Sequence, residues 1–291
     1  MHRFLLYNDE VRDTSEGMLR PGQVGLLNGW GVFSTLRVKD GVLFAWERHW
    51  ARMCKDAALM HVPMPATDGD LLRPLLRLIE ANRAFDATLR VAIIRNRGGL
   101  FDAPNLDREF DVIAFTKDLA NWKDGVRLGV KPNARHAGNE FSGTKVLSWS
   151  MNLTWLEEAQ RAGFDEVVLL DDQGRVSECT SANLFAVQGS EVLTPPLSNG
   201  CLPGVTRALL LDDIRVPGIS VREQELTLQD LAASDDVFIT SSTRDLLGVG
   251  EVGGVALRMD GRVRSRLHQA FQDYLHGYVS RVKAPVTESL P

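Results

Sequence analysis

The stretch GFDEVVLLDDQGRVSECTSANLF, residues 163–185, contains the pattern on which the interpretation of this chain depends. Its apolar run predicts a buried strand, Asp172–Gly174 predicts a turn, and the residues from Val176 onward predict entry into a second strand. Glu178 lies in that second strand among small hydroxyl residues. Such a carboxylate either accepts local hydrogen bonds at a strand end or stays ionised beside a protonated ring nitrogen of a bound ligand.

The next segment, TPPLSNGCLPGVTR at residues 194–207, predicts a helix that begins near Pro203, because proline suits the first helical position. Gly204, Val205 and Thr206 then lie in the first turn. Unpaired backbone amides and the helix dipole favour a phosphate at that point. A well-capped helix without a ligand is the alternative interpretation.

Upstream of both segments, SGTK places Lys145 after a Gly–Thr pair and before a mainly apolar stretch and a predicted helix. An isolated lysine is usually a solvated surface charge. In partly buried surroundings, however, desolvation lowers the pKa of a lysine, and its neutral amine can attack an aldehyde. The sequence alone leaves both interpretations open.

Two further segments could bind an anion. RHWARM puts Arg48 and Arg52 one helical turn apart, on a shared face that is either solvated or directed at a phosphate. DVFITSSTRDL ends a predicted strand in the hydroxyl run 240–243. The glycines of GLLNGWGVFSTLR, from Gly25, match neither a dinucleotide-binding nor a P-loop pattern, and a tight turn that enters a strand is favoured there.

The remaining elements predict an irregular mixture of helices and strands without the βαβ rhythm of a doubly wound sheet. Helices are predicted at about 45–60, 68–83 (with Asp68 as cap), 149–162 and 263–279. Strands are predicted at 89–95, 111–116 and 126–131, with a hairpin in 184–195 that turns at Gly189. We expect a smaller N-terminal α/β domain over 1–117, a linker over 118–124 and a larger C-terminal domain over 125–291, ending in a frayed polar tail.

Composition narrows the classes of partner. The net charge is −5 and the basic residues are scattered, so a nucleic-acid partner is not expected. Three separated cysteines without ligand spacing support neither a disulfide framework nor a metal site, and they fit a reducing cytoplasm. Neither a signal sequence nor a membrane-spanning run is apparent, which makes a cytoplasmic location the expectation.

Taken in order, these segments resemble the fold-type IV, or class IV, pyridoxal-phosphate family. The family includes branched-chain aminotransferases, D-amino acid aminotransferases, aminodeoxychorismate lyase and (R)-selective amine transaminases. The two segments quoted first are the most specific, and NGWGVFSTLR at 28–37 extends the resemblance toward the N-terminus. The resemblance implies pyridoxal 5'-phosphate as cofactor, bound mainly by the C-terminal domain in a cleft between two domains, and a homodimer whose substrates are an amino acid and a 2-oxo acid.

The resemblance also implies roles for matching residues. Lys145 would form the Schiff base and move the proton, Glu178 would pair with the ring nitrogen, and Leu202 would pack on the ring. The phosphate would be held by Arg52, Val205, Thr206 and Ser242. Substrate would contact Phe33, Arg37, Arg95 and Thr243, although Arg95 could equally be a solvated arginine at a strand end.

This chain also departs from the branched-chain pattern. Trp149 and Ser150 occupy the neighbourhood of a cofactor-binding tyrosine, Ser241–Thr243 replaces a Gly–Thr–Ala loop, and a serine follows Phe33 where an acidic residue is usual. We expect a transaminase with a branched-chain-like donor. The alternatives are aminodeoxychorismate lyase, a D-amino acid or (R)-amine transaminase and, more remotely, a non-catalytic protein that keeps the fold.

Overall fold

The computed structural model describes residues 1–17, 24–99 and 107–284 of the chain, and its strands form two sheets. The first sheet contains β1 (Phe4–Tyr7), β2 (Glu10–Asp13), β3 (Gly31–Lys39), β4 (Val42–Leu43), β5 (Ala87–Arg95) and β6 (Phe110–Asp118). The second contains β7 (Val126–Arg135), β8 (Glu166–Asp171), β9 (Val176–Cys179), β10 (Asn183–Gln188), β11 (Glu191–Thr194), β12 (Ser220–Glu223), β13 (Asp236–Ser241), β14 (Asp245–Val252) and β15 (Val255–Ala256). The helices are α1 (Val24–Asn28), α2 (Trp46–Leu59), α3 (Asp68–Asn82), α4 (Ser150–Arg161), α5 (Val205–Asp212), α6 (Leu228–Ala233) and α7 (Arg262–Lys283), with a 3-10 turn at Leu197–Asn199. The predicted mixture of helix and strand is confirmed.

The first sheet is antiparallel, with strand order β2-β1-β6-β5-β3-β4. Its long central strands contribute alternate apolar side chains to a core that also receives the apolar stripes of α2 and α3. Leu36, Leu75 and Leu89 are fully buried there. Packing a helical stripe against one face of a sheet buries both surfaces at once, which explains why the two predicted helices form at their predicted positions.

The start of α3 differs in detail from its prediction. Thr67, and not Asp68, is the N-cap: its hydroxyl accepts from the amide of Asp70, whose carboxylate accepts from the amide of Thr67. This reciprocal capping box satisfies two amides at once. The prediction that Asp68 caps the helix was wrong because Asp68 already lies inside it.

The second sheet has strand order β12-β11-β10-β13-β14-β7-β8-β9, with β15 paired to β14. Its β10–β11 hairpin turns at Gly189 as predicted. The β7 strand lies parallel to both β8 and β14. Helix α5 begins at Val205 behind the N-cap Gly204, so the prediction of proline in the first helical position was wrong: Pro203 precedes the cap.

Helix α7 joins the two sheets. Its residues Leu267, Phe271 and Leu275, predicted as one apolar face, are buried in a cluster that includes Phe44 from the first sheet's side and Phe238 from the second. This shared core fixes the sheets relative to each other. The predicted frayed tail falls on residues 285–291, which lie outside the described residues.

Between β6 and β7 the structure contains neither helix nor strand, at the place where the linker was predicted. The division into domains at 117 and 125 stays a prediction. Within the described ranges, none of the helices combines the length and apolarity that crossing a membrane requires.

Candidate active site

A cavity of about 290 Å³ lies where residues of both sheets meet. Nine of the residues predicted from the sequence to form the site line it: Phe33, Arg52, Lys145, Glu178, Leu202, Val205, Thr206, Ser242 and Thr243. They come from segments spread along most of the chain, so folding, and not sequence proximity, assembles them.

Lys145 is fixed through its backbone. Its amide donates to the buried Asp56 Oδ2 at 3.1 Å, and its carbonyl accepts from the Phe33 amide at 3.0 Å. Val146 continues this contact as an isolated antiparallel bridge to β3. Gly143 allows the turn before Lys145 to pass close to the backbone at Cys201. Its φ is +76°, and a Cβ there would lie 2.7 Å from the carbonyl oxygen of Cys201.

The amine of Lys145 lies over two aromatic rings. Its Nζ is 4.5 Å from the ring centre of Phe33 and 4.9 Å from that of Trp149, and the two rings meet edge to face. Desolvation, followed by the charge of Arg52, lowers the pKa of Lys145 to about 7. A substantial fraction of the amine is therefore neutral near pH 7, whereas an exposed lysine is almost entirely protonated there.

Glu178 is a buried carboxylate with defined partners. Arg135 Nε donates to its Oε1 at 3.0 Å, and the Leu202 amide donates to its Oε2 at 3.0 Å. Burial raises the pKa of Glu178, while the Arg135 charge and the Leu202 amide act in the opposite direction. The carboxylate thus lies against the cavity with both oxygens oriented, and a cation placed in the cavity would favour its ionised form further.

Arg52 is held by a buried polar chain. Its Nη2 donates to Ser34 Oγ at 2.9 Å, and Ser34 Oγ lies 2.8 Å from His49 Nδ1. Burial lowers the pKa of His49 well below its usual value, so the ring is neutral and its Nδ1 can accept the serine proton. The guanidinium therefore has one edge anchored, while its buried Nε has no hydrogen-bond partner among the described residues.

The start of α5 forms another wall. No side chain caps this helix, so the amides of its first turn, beginning at Val205 and Thr206, lack acceptors within the helix. Gly204 permits close packing, because a Cβ there would lie 2.0 Å from Asn183 Oδ1. Asn183 in turn donates to the Leu202 carbonyl at 2.9 Å, which orders the approach to the helix.

Opposite this helix start, the turn between β13 and β14 places Ser242 and Thr243 on the cavity. The neighbouring Thr240 hydroxyl is buried without a partner within the described part of the chain. A free hydroxyl, the unpaired Arg52 Nε and the amides of α5 are donors suited to a phosphate. Glu178 supplies the carboxylate that a protonated ring nitrogen requires, so the residues present fit pyridoxal 5'-phosphate.

Two predicted substrate residues lie outside this cavity within the single chain. Arg37 turns away and forms an ion pair with Asp245, at 2.6 Å. Arg95 packs over the Trp30 ring and donates to the carbonyl oxygens of His61 and Arg97. Arg95 makes its contacts on the face of β5 opposite to Arg90. Arg37 lies on the same face of β3 as Phe33 but further along the strand, where it pairs with Asp245, so the structure brings neither guanidinium to Lys145.

Two arginines that line the cavity, Arg90 and Arg244, were not predicted. Arg90 lies 3.9 Å above the Phe33 ring centre, lines the cavity, and has no carboxylate partner among the described residues. Burial lowers its pKa. A signal for Arg90 was present in LRVAIIR, where it is a charge inside an otherwise apolar strand, but the family resemblance implied Arg95 instead.

Comparison with known proteins agrees with this geometry. The family model of amino-transferase class IV matches residues 31–252. A putative branched-chain-amino-acid aminotransferase of Methanocaldococcus jannaschii is 30% identical, over 91% of this chain and 94% of that protein. The D-alanine aminotransferase of Bacillus licheniformis is 26% identical, over 86% and 88%.

A solved structure shows the same arrangement of the chain. The branched-chain amino acid aminotransferase from Escherichia coli superposes with a TM-score of 0.85 at 26% identity, over 96% of each chain.

Proposed function

The chain belongs to the class IV aminotransferases and is a pyridoxal-phosphate-dependent transaminase, and we propose that it moves an amino group from a branched-chain-like amino acid to a 2-oxo acid through Lys145. The branched-chain donor is supported by the name of the Methanocaldococcus relative and by the apolar lining that Phe33, Trp149 and Leu202 give the cavity. The observation that carries the proposal is a lysine of lowered pKa in one cavity with Glu178 and Arg52.

When bound, the cofactor supplies an electron sink for the bond broken at the donor's Cα. Arg52, Val205, Thr206 and Ser242 would hold its phosphate. Glu178 would bind the ring nitrogen, and its ionised form would be maintained by the nearby Arg135. Leu202, whose amide is engaged with Glu178, would cover one face of the ring.

Lys145 would act as nucleophile and then as base. Its neutral amine can attack a carbonyl carbon. Once released, the amine can take the proton from the donor's Cα and deliver it to the C4′ carbon of the cofactor. The aromatic rings of Phe33 and Trp149 disfavour water around the amine. The backbone contacts of Lys145 with Asp56 and Phe33 restrict its reach to one side of the cavity.

The substrate carboxylate would meet the turn between β13 and β14, where Thr243 presents a hydroxyl. Arg90 would add the charge that such a group attracts, because no carboxylate of the described residues neutralises it. Arg90 lies on β5 of the first sheet, and Thr243 lies in a turn of the second sheet. A carboxylate could therefore contact both only while the two sheets keep their present relative position.

A homodimer is part of this proposal. Exposed apolar side chains occur on two adjoining segments: Leu26 and Leu27 on α1, and Phe141 and Met151 on either side of Lys145. Ser148 joins the segments by donating to the Asn28 and Gly29 carbonyls. Apolar groups gathered at the edge of a functional site are typical of a subunit interface. We also propose a cytoplasmic location, which the free thiols of all three cysteines support.

A D-amino acid donor is the second candidate, supported by the similarity to the Bacillus D-alanine aminotransferase. Purified enzyme should be incubated with leucine, D-alanine, an (R)-amine or aminodeoxychorismate, each with and without 2-oxoglutarate, and the cofactor absorbance and products followed. We expect leucine alone to give at most one equivalent of the corresponding 2-oxo acid per active site, and continued formation only when an acceptor is present. A preference for D-alanine over leucine would mean that the donor is a D-amino acid. Pyruvate release from aminodeoxychorismate without acceptor would mean that the enzyme is a lyase and not a transaminase.

The Lys145→Ala variant tests the lysine itself. It should lose at least about 10³-fold in turnover, since nucleophile and base are removed together. Retained turnover would exclude Lys145 from the mechanism. Thermal unfolding of the variant serves as the control for folding.

A further inference from the structure

A second cavity, of about 350 Å³, adjoins the active-site cavity. The two share three lining residues: Trp122, Thr243 and Arg244. The second cavity is otherwise lined by apolar and charged residues in about equal share, the charged ones including Arg37, Asp245 and Arg264. The proposed mechanism assigns no role to the second cavity, although the two cavities share a boundary.

Trp122 and Arg244 stack on each other between the two cavities. The Arg244 guanidinium carbon lies 4.4 Å from the Trp122 ring centre. Trp122 belongs to the segment that connects β6 to β7, whereas Arg244 belongs to the turn between β13 and β14. A planar guanidinium on an aromatic ring is an attractive contact that favours this position of the partly exposed tryptophan.

Arg244 is anchored from behind. Its Nη2 lies 3.3 Å from Glu166 Oε2, and its Nη1 donates to the carbonyl and hydroxyl oxygens of Ser181 at 3.0 Å. Glu166 is 2% exposed and also accepts from the hydroxyls of Ser181 and Thr180. A guanidinium held by a buried carboxylate on one side and stacked on the other has little freedom to move.

We propose that the Trp122–Arg244 stack is a partition that limits the length of the substrate side chain, with Glu166 as the residue that positions it. The inference rests on the proposed transaminase function. Extra methylenes pressed against a fixed wall are costly, whereas the same groups enter freely if space lies beyond it. Removing either member of the stack would open the active site into the second cavity.

The test uses the amine-loaded form of the holoenzyme and unbranched 2-oxo acids from 2-oxobutanoate to 2-oxodecanoate. These acceptors have no stereocentre, so the result does not depend on L or D preference. The readout is kcat/KM against chain length, from the absorbance change on conversion of the cofactor. Wild type should fall by about tenfold or more at one chain length, the size of effect that a pocket wall produces.

The Trp122→Ala and Arg244→Ala variants should reduce that fall to less than about threefold, each variant being compared with its own activity on 2-oxobutanoate. Glu166→Gln should give an intermediate profile, because it weakens the anchor and leaves the stack. Arg258→Ala is the matched control: Arg258 is a surface arginine paired with Asp235, and its removal should leave the profile unchanged.

The partition is overturned if wild type shows no length limit, or if Trp122→Ala keeps the wild-type profile. A uniform loss across all chain lengths in Arg244→Ala would also overturn it, because that result means a purely structural role. Trp122 is exposed on a connecting segment, so its replacement tests the idea even if the arginine variant does not fold. Failure of wild type with every acceptor would instead overturn the transaminase proposal.

Discussion

The two halves of the active-site cavity are built in different ways. The cofactor half, formed by Arg52, Lys145, Glu178 and the start of α5, consists of polar groups that hold one another through buried hydrogen bonds. In the substrate half, which contains Arg90, Trp122 and Arg244, cationic side chains lie on aromatic rings.

This difference in construction follows from what each half of the cavity is proposed to bind. A phosphate and a ring nitrogen need charges at fixed positions, so the groups of the cofactor half are each restrained by a second buried group. Arg90 can be replaced at lower cost, because its ring contact is worth less than a charged hydrogen bond and no carboxylate of the described residues pairs with it. Arg244 is held more firmly, because it also pairs with the buried Glu166. Substitutions should therefore act strongly in the first half and selectively in the second.

The largest effect is expected from Glu178→Gln. A neutral amide cannot keep the ring nitrogen protonated, so kcat should fall by about 10²–10³-fold, the size of losing one oriented electrostatic group. The variant keeps the shape of the side chain and an acceptor for Arg135. Steady-state kinetics with saturating cofactor measure the loss, and an unchanged kcat would mean that Glu178 only supports the strand.

A loss of cofactor affinity should follow from Arg52→Ala. Removing the charged donor should raise the Kd for pyridoxal phosphate by about 10–100-fold, since hydrogen bonds to charged groups contribute about 1.5–3 kcal/mol. The control is Arg48→Ala on the same helix, because Arg48 pairs with Asp213 at the surface. Titration of the cofactor-free protein by absorbance compares the two, and equal Kd values would remove Arg52 from the phosphate site.

Arg90→Ala tests the substrate half. Loss of this unneutralised charge should raise KM for the 2-oxo acid by about tenfold while leaving the cofactor Kd unchanged. Arg95→Ala should change KM by less than about twofold, because its guanidinium is bound to backbone oxygens outside the cavity. A larger rise in KM for Arg95→Ala than for Arg90→Ala would support the sequence-based prediction that Arg95 binds substrate. It would also indicate that Arg95 reaches the active site of the other subunit.

The smallest change concerns pH. Because the pKa of Lys145 is lowered to about 7, its neutral fraction is nearly complete above that pH and falls below it by about tenfold for each pH unit. The rate at which cofactor-free protein captures pyridoxal phosphate should therefore level off above about pH 7. A rate that continues to rise toward pH 10 would show an ordinary solvated lysine.

The residues proposed to bind the cofactor could be singled out in the sequence because the features around them are local, and the family resemblance implied their roles. A helix start with Gly204 as its cap, a strand that contains Glu178 and a turn that precedes Lys145 each leave a pattern within a few residues. Even so, the exact helix start was misplaced at Pro203, since proline is acceptable both at and before the cap.

The substrate half could not be predicted in the same way. Trp122 and Arg244 are far apart in sequence and meet only because both sheets are fixed by the α7 core. Arg95 lies on the face of β5 opposite to Arg90, because a strand presents alternate residues to opposite faces, and no local pattern identified the face. Arg37 shares the face of β3 with Phe33 but lies further along the strand. The ion pair of Arg37 with Asp245 depends on the same long-range packing.

The most direct measurement of the central claim is chemical capture of the cofactor. Holoenzyme is reduced with borohydride, which fixes pyridoxal phosphate to the lysine that holds it, and the digested protein is analysed by mass spectrometry. We predict a single pyridoxyl group, on Lys145, and none in the Lys145→Ala variant treated in the same way. A pyridoxyl group on another lysine of the wild-type enzyme, or on none, would contradict the account.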